Sequence, residues 1–234
     1  MEQHAVVVGG GIGGLSAALA LGRAGHRVTV LEQDPLPATA DAEEAFVAER
    51  RGAPQVHQTH GFLARLVVVL RERFPDVLDA LLAAGCTTLG TTANLGEPRP
   101  GDDDLAVLIV RRTTLEWVLR SAVVAEPTVS IRTGVRVAGL VGRDATSDAG
   151  VPAVPVVTSV RLEDGEVVAG DMVVVASGRR GPLPAWLAEL GVDVPEVVHE
   201  SGLMYVTRWY RLPADFDLTL DPKLGVVSSY REGD

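Results

Sequence analysis

The 234-residue sequence has a single cysteine, Cys86. One thiol excludes an intramolecular disulfide, a CxxC redox pair and a cysteine-based zinc cluster; it is expected as a small buried hydrophobe. Basic residues are also scarce: 21 Lys and Arg stand against 31 Asp and Glu, for a formal net charge of −10. So acidic a chain lacks the basic face that grips phosphate backbones, which argues against nucleic acid as a partner. The apolar runs are short or broken by Gly and Arg, so no transmembrane segment is expected. Residues 1–4 carry no basic region or small-residue cleavage site of a signal peptide, and a cytoplasmic location is the default expectation. Aromatic residues are only 4% of the chain. Trp117, Trp186 and Trp209 read as packing residues rather than a stacking platform.

Other chemistries are absent from the sequence as well. It shows no Ser-His-Asp pattern and no P-loop. The acidic run Asp102-Asp103-Asp104 follows Pro100 and Gly101, in what reads as a solvated loop, and three consecutive carboxylates do not converge on one ion. No metal site is expected.

What the chain does have is a dense apolar content, 47%, and a crowded beginning, AVVVGGGIGGLSAALALGRAGHRVTVLEQD. Residues 4–8 form a valine-rich run typical of a strand buried on both faces. From residue 12 to residue 24 apolar residues recur at helical spacing, and Gly25 closes the helix. Residues 27–31 are a second strand. Between the first strand and the helix, Gly9, Gly11 and Gly14 fall in G-x-G-x-x-G register. Gly9 permits a tight turn, Gly11 lets backbone amides approach a pyrophosphate, and Gly14 lets helix and strand pack closely. The helix N-terminus adds free N–H donors and partial positive charge. Glu32 ends the second strand where a ribose-binding acid belongs, and Gln33 and Asp34 follow with no arginine to welcome a 2′-phosphate. This unit is expected to cradle an ADP moiety.

The remainder departs from a plain nicotinamide-binding domain. The run RRGAPQVHQTHGFLARL precedes helices expected at 61–73 and 76–84, the latter capped by Asp76. The chain returns through residues 106–110 to a helix containing Arg112, Leu115 and Leu119. Residues 128–132, 135–141, 154–163 and 166–169 read as strands, with Asp164-Gly165 as a hairpin turn, and 171–176 as another buried strand entering Ser177-Gly178. An α/β fold of Rossmann-like FAD/NAD(P)-binding type is expected: a parallel sheet of 4–8, 27–31, 128–132 and 171–176 with a β-meander over 135–169.

The ordered set GGGIGG with Glu32, RRGAPQVHQTHGFLARL, Arg112–Leu115–Leu119, TGVRVAGL and DMVVVASGRRGPLPAWLAELG resembles the FAD-dependent monooxygenases of the p-hydroxybenzoate hydroxylase type, nearest a branch that includes polyketide epoxidases. The likeness continues into LMYVTRWYRLP. It implies that Gly9, Gly11, Gly14 and Glu32 hold the ADP half of FAD, with Ile12, Gly13 and Gln33 counted beside them. It also implies that Arg112 lies near the pyrophosphate and ribityl chain, that the backbone of Val137 meets adenine, and that Ser177 and Gly178 stand where many relatives have Asp-Gly. Arg51 and Gln55 would neighbour the flavin. His57 and His60 are candidates for flavin or substrate contacts, or simply loop histidines; His26 and His199 read as structural or exposed. Three positions depart from the pattern: Gln58 replaces a histidine, Val175 an aspartate and Gly181 a serine.

The implied division is 1–85 for a first FAD-binding segment, 86–110 for an excursion into a substrate sheet, 111–190 for a second FAD-binding segment, and 191–234 for the start of a substrate domain. That sheet, drawing on residues near 86–110 and 199–230, would present an unpaired edge. No Gly-Asp-Ala flavin element follows Gly181, so the resemblance is to an N-terminal half. The activity implied is an oxidoreductase, foremost a monooxygenase using NAD(P)H and O₂ on a small-molecule substrate. The competing readings are a non-catalytic remnant or a subunit needing a C-terminal partner chain or homo-oligomer, an NAD-linked dehydrogenase, and an isoprenoid reductase.

Overall fold

A computed structural model describes residues 2–36, 38–58, 60–92, 97, 99–143, 154–204 and 206–208. Along the chain run β1 (His4–Val8), α1 (Ile12–Arg23), β2 (Arg27–Glu32), α2 (Ala42–Val47), α3 (Ala64–Arg73), α4 (Pro75–Ala83), β3 (Thr87–Gly90), a 3₁₀ turn (Asp102–Leu105), β4 (Ala106–Ile109) and α5 (Arg112–Ala125). Then come β5 (Val129–Thr133), β6 (Val137–Arg143), β7 (Val156–Leu162), β8 (Val167–Ala169), β9 (Met172–Val175) and α6 (Leu183–Glu189). The chain divides into two units, Met1–His57 with Thr113–Leu203, and Gln58–Arg112 with Met204–Asp234.

The first unit is built on a parallel sheet in the order β5-β2-β1-β9. β1 is buried on both faces, with Val6 and Val7 wholly inaccessible, which is why its sequence reads as an unbroken apolar run. α1 packs on this sheet and buries Leu15, Ala18 and Leu19. Each such leucine is worth about 1.5–3 kcal/mol relative to exposure. The antiparallel meander β6-β7-β8 and α6 form a core with the sheet, in which Val6, Val8 and Leu31 meet Leu140, Val160, Leu162 and Trp186. Trp186 is a packing residue, as its place in the sequence suggested. The expected α/β, Rossmann-like architecture is therefore what the chain forms.

The second unit pairs β3 with β4 antiparallel. α3 packs on β4 and on α4, and the unit buries Val67, Val68, Leu70, Val77, Leu81 and Leu108. Arg71 pairs with Asp104 of the 3₁₀ turn.

Some boundaries differ from the sequence reading. α4 starts at Pro75, so Asp76 lies in its first turn and does not cap it; proline suits the first helical position because the amide it lacks has no partner there. α3 starts at Ala64 rather than 61. The acidic run 102–104 is a 3₁₀ turn. α2 was not foreseen; Asp41 caps it by accepting from the amides of Glu43 and Glu44, both at 2.9 Å. Among the described residues of 192–208 no strand forms, so that part of the expected 199–230 strands is not present. The rest of that stretch, and Trp209, lie outside the described residues.

Candidate functional site

In the first unit, three chain segments meet at the carboxyl ends of β1, β2 and β9. β1 runs into Gly9, whose φ is +106° and whose amide donates to Leu31 O at 2.8 Å. A Cβ on Gly9 would stand 2.6 Å from Ala176 O, so the loop lies directly against the exit of β9. A Cβ on Gly14 would stand 1.8 Å from Gly9 O, leaving no room for a side chain where the helix folds back on the strand. Gly11 and Gly13 are the reverse: a Cβ on either would meet nothing within 4 Å. Gly11 is the N-cap of α1, without a side-chain cap, and no acidic residue occupies the first turn. The helix start therefore offers an open, side-chain-free face with uncapped donors, which is the chemistry of an anion cradle. Ile12 is half-buried at its edge and Gly13 exposed.

Glu32 is 4% exposed. Its Oε2 accepts from Gly10 N at 2.5 Å and its Oε1 from Asp34 N at 2.8 Å. Each carboxylate oxygen can accept more than one bond, so the group keeps capacity for ribose hydroxyls. Gln33 is exposed. Beyond β5, Val135 N donates to Glu32 O at 3.0 Å and Gly134 N to Asp34 O at 3.3 Å. This draws the start of β6, with Val137, beside the β2 exit. On the third side Ala176 N donates to Val8 O at 2.8 Å, and Ser177 and Gly178 follow. Gly181 turns back here: a Cβ on it would lie 2.1 Å from Ser177 Oγ, a physical reason for its departure from serine.

One arginine that the sequence left unremarked lies at this site. Arg50, 7% exposed in its side chain, pairs with Asp34 Oδ2 at 3.0 Å and Glu116 Oε1 at 2.7 Å, and stands 3.8 Å from Glu32 Oε1. Arg51, the expected flavin neighbour, is 77% exposed and pairs with Glu49 at 2.9 Å; Gln55 is exposed too. From α5, Trp117 Nε1 donates to Thr39 O at 3.2 Å and Arg120 to Thr39 Oγ1 at 2.9 Å. Burial pulls the Arg120 guanidinium below its usual range, against the attraction of Glu116.

Arg112 belongs to the second unit. Its Nη1 is 3.4 Å from His60 Nε2, and its Nε is buried without a hydrogen-bond partner, an unspent donor of the kind an anion uses. His60 stacks on Phe62 at 6.1 Å. His57 lies 2.5 Å from Phe46 O and meets the Phe46 ring edge-on at 4.8 Å, a structural use. Cys86 is buried, and burial pushes its thiol up, away from reactivity. Among the described residues no cluster suited to a metal ion occurs, and no helix is long and apolar enough to cross a membrane.

The glycine cradle and the buried acid beside it, both in the first unit, fit an adenosine diphosphate group. The profile of the family described as FAD dependent oxidoreductase (DAO) matches residues 4–98. The resemblance to the FAD-dependent monooxygenase/oxidoreductase family, drawn from the motifs, is borne out. The chain is 30% identical over 223 residues to Protein Rv3254 of Mycobacterium tuberculosis, covering 91% of itself and 46% of that protein. It is 27% identical to the FAD-dependent monooxygenase atnJ of Arthrinium sp, covering 92% of itself and 45% of that protein. Among solved structures, pqsL, a probable FAD-dependent monooxygenase from Pseudomonas aeruginosa, matches with a TM-score of 0.56 at 19% identity, over 85% of this chain and 48% of that one. That likeness speaks for the fold. The chain spans just under half the length of the curated relatives it matches.

Proposed function

We propose that this chain binds FAD and forms the nucleotide-binding part of a monooxygenase, a hydroxylase or epoxidase, that draws electrons from NAD(P)H in the cytoplasm and acts with O₂ on a small organic substrate. The single observation that carries this reading is the pairing, at one sheet end, of an open glycine cradle with the buried carboxylate of Glu32. FAD, when bound, supplies the redox chemistry: it accepts a hydride equivalent and passes electrons to O₂. The protein binds and orients. The amides of Gly11, Ile12, Gly13 and Gly14 receive the pyrophosphate. Glu32 accepts hydrogen bonds from the adenosine ribose, with Gln33 at its rim. Val137 offers backbone to adenine, and Ser177 and Gly178 close the far side. Arg112 brings positive charge to the phosphates and ribityl chain, supported by its unspent Nε, and Arg51 and Gln55 serve the flavin end. No protein nucleophile is required.

Titrating the purified chain with FAD, followed by quenching of flavin fluorescence, tests the binding step. Saturable binding is expected, with Glu32→Ala weakening it about tenfold or more, since hydrogen bonds to a charged group are worth about 1.5–3 kcal/mol each. Absence of binding to either FAD or ADP overturns the proposal. Tight NAD binding in place of flavin would move it to a dehydrogenase.

A further inference from the structure

The excursion between β2 and α3 returns a single arginine to the interior. Arg50 and Arg51 are neighbours in sequence with opposite fates: the Arg50 side chain is 7% exposed, the Arg51 side chain 77%. Around Arg50 stand three carboxylates from two elements and the turn between them. Glu32 is the last residue of β2, Asp34 lies two residues on, and Glu116 belongs to α5. Asp34 accepts in addition from Gly52 N, with both of its oxygens, at 3.2 and 3.0 Å. Glu32 spends bonds on Gly10 N and Asp34 N. Hydrogen bonds thus run from the glycine loop through Glu32 and Asp34 to Arg50, and an ion pair continues from Arg50 to Glu116 of α5. Arg120, farther along that helix, donates to Thr39 Oγ1.

Three carboxylates gathered in a buried space repel one another, and a partner-less buried charge is expensive. A guanidinium is the side chain that offsets this best, because its rigid planar fork addresses two carboxylates at once and it stays charged. We infer that Arg50 is a positioning residue for adenosine recognition: it holds Asp34 and Glu32 at the β2 exit, keeping the Glu32 carboxylate oriented to accept the ribose hydroxyls, and ties that geometry to α5 through Glu116. The inference rests on the FAD reading above and adds to it a residue that acts through the carboxylates it holds.

The test compares Kd values for FAD and for ADP with thermal stability, on the full chain, for wild type, Arg50→Lys, Arg50→Met, Glu116→Gln and Glu32→Ala, with Arg71→Met as an arginine removed from an exposed pair elsewhere. Expected are losses of about tenfold or more in both affinities for Arg50→Met, partial recovery in Arg50→Lys, and an intermediate loss in Glu116→Gln. Arg71→Met should bind like wild type. If Arg50→Met does not fold, Arg50→Lys decides: its single ammonium cannot span Asp34 and Glu116 together, and a loss of about threefold or more is expected. A folded Arg50 variant with lowered stability but wild-type Kd for FAD and ADP overturns the inference and leaves Arg50 merely structural. Wild type that binds neither ligand overturns the FAD reading itself. Binding that weakens in Glu32→Ala but not in the Arg50 variants fails only the role of Arg50.

Discussion

The two units treat their strands differently. In the first, β1 is buried on both faces, with Val6 and Val7 at 0% exposure; in the second, three of the four residues of β3 are exposed. A parallel strand enclosed between layers has to be apolar throughout, and every backbone group must find a partner inside. That enclosure gives the loops at its carboxyl end a rigid base, so glycine placement there is exacting. A two-stranded sheet with one exposed face imposes little on its sequence. It depends on α3, whose Val67, Val68 and Leu70 supply much of the buried surface. The contrast teaches where precision is stored: at the ends of the buried sheet.

The sharpest way to break the comparison is Arg50→Met. Removing one member of a buried ion cluster leaves uncompensated carboxylates and should destabilise the chain by about 3–5 kcal/mol in urea denaturation. A cost under about 1 kcal/mol would show the cluster to be effectively solvated. Next comes a pair within α1. Gly14→Ala forces a methyl to within 1.8 Å of Gly9 O and should cost about 3 kcal/mol. Gly13→Ala enters open space and should raise stability by about 0.5–1 kcal/mol, while weakening FAD binding where the phosphates approach. Equal effects of the two would remove the distinction between packed and open glycines.

Hydrogen exchange sharpens the comparison of the units: amides of β1 and β2 should exchange at least about tenfold more slowly than those of β3, because opening them exposes the core. Arg71→Met, which deletes the exposed pair with Asp104, should change stability by less than about 1 kcal/mol. The smallest effect concerns pH. His4 lies 2.9 Å from Thr29 Oγ1, and burial, then Arg27, lowers its pKa. A folded-state value below the unfolded one means the folded state binds fewer protons. Its contribution is therefore present above the ordinary imidazole range and lost as pH falls through it. His4→Gln should flatten that slope in thermal melts recorded from neutral to acid pH.

Much of the fold was legible. The βαβ unit, β5, the meander and β9 were each marked by apolar runs and turn residues, because buried strands and close glycine contacts restrict the residues they accept. α2 was missed because its only strong signal is the Asp41 cap in a polar stretch. The start of α4 was misjudged because Pro75 and Asp76 both signal a helix beginning, and proline's missing amide gave it the first position. At the site, Glu32 and the glycines could be read from spacing, whereas Arg50 could not: in Glu49-Arg50-Arg51 nothing local separates the inward arginine from the outward one.

The sequence by itself determined the strand order of chemistry along the chain: a side-chain-free loop, an uncapped helix and an acid at the next strand's end, each fixed by short-range geometry that only certain residues can adopt. Tertiary structure alone decided which charges meet. Glu32, Asp34, Arg50 and Glu116 are scattered over 85 positions, and their association depends on α5 and the β2 exit loop being brought together by burial, a long-range outcome that no local pattern encodes.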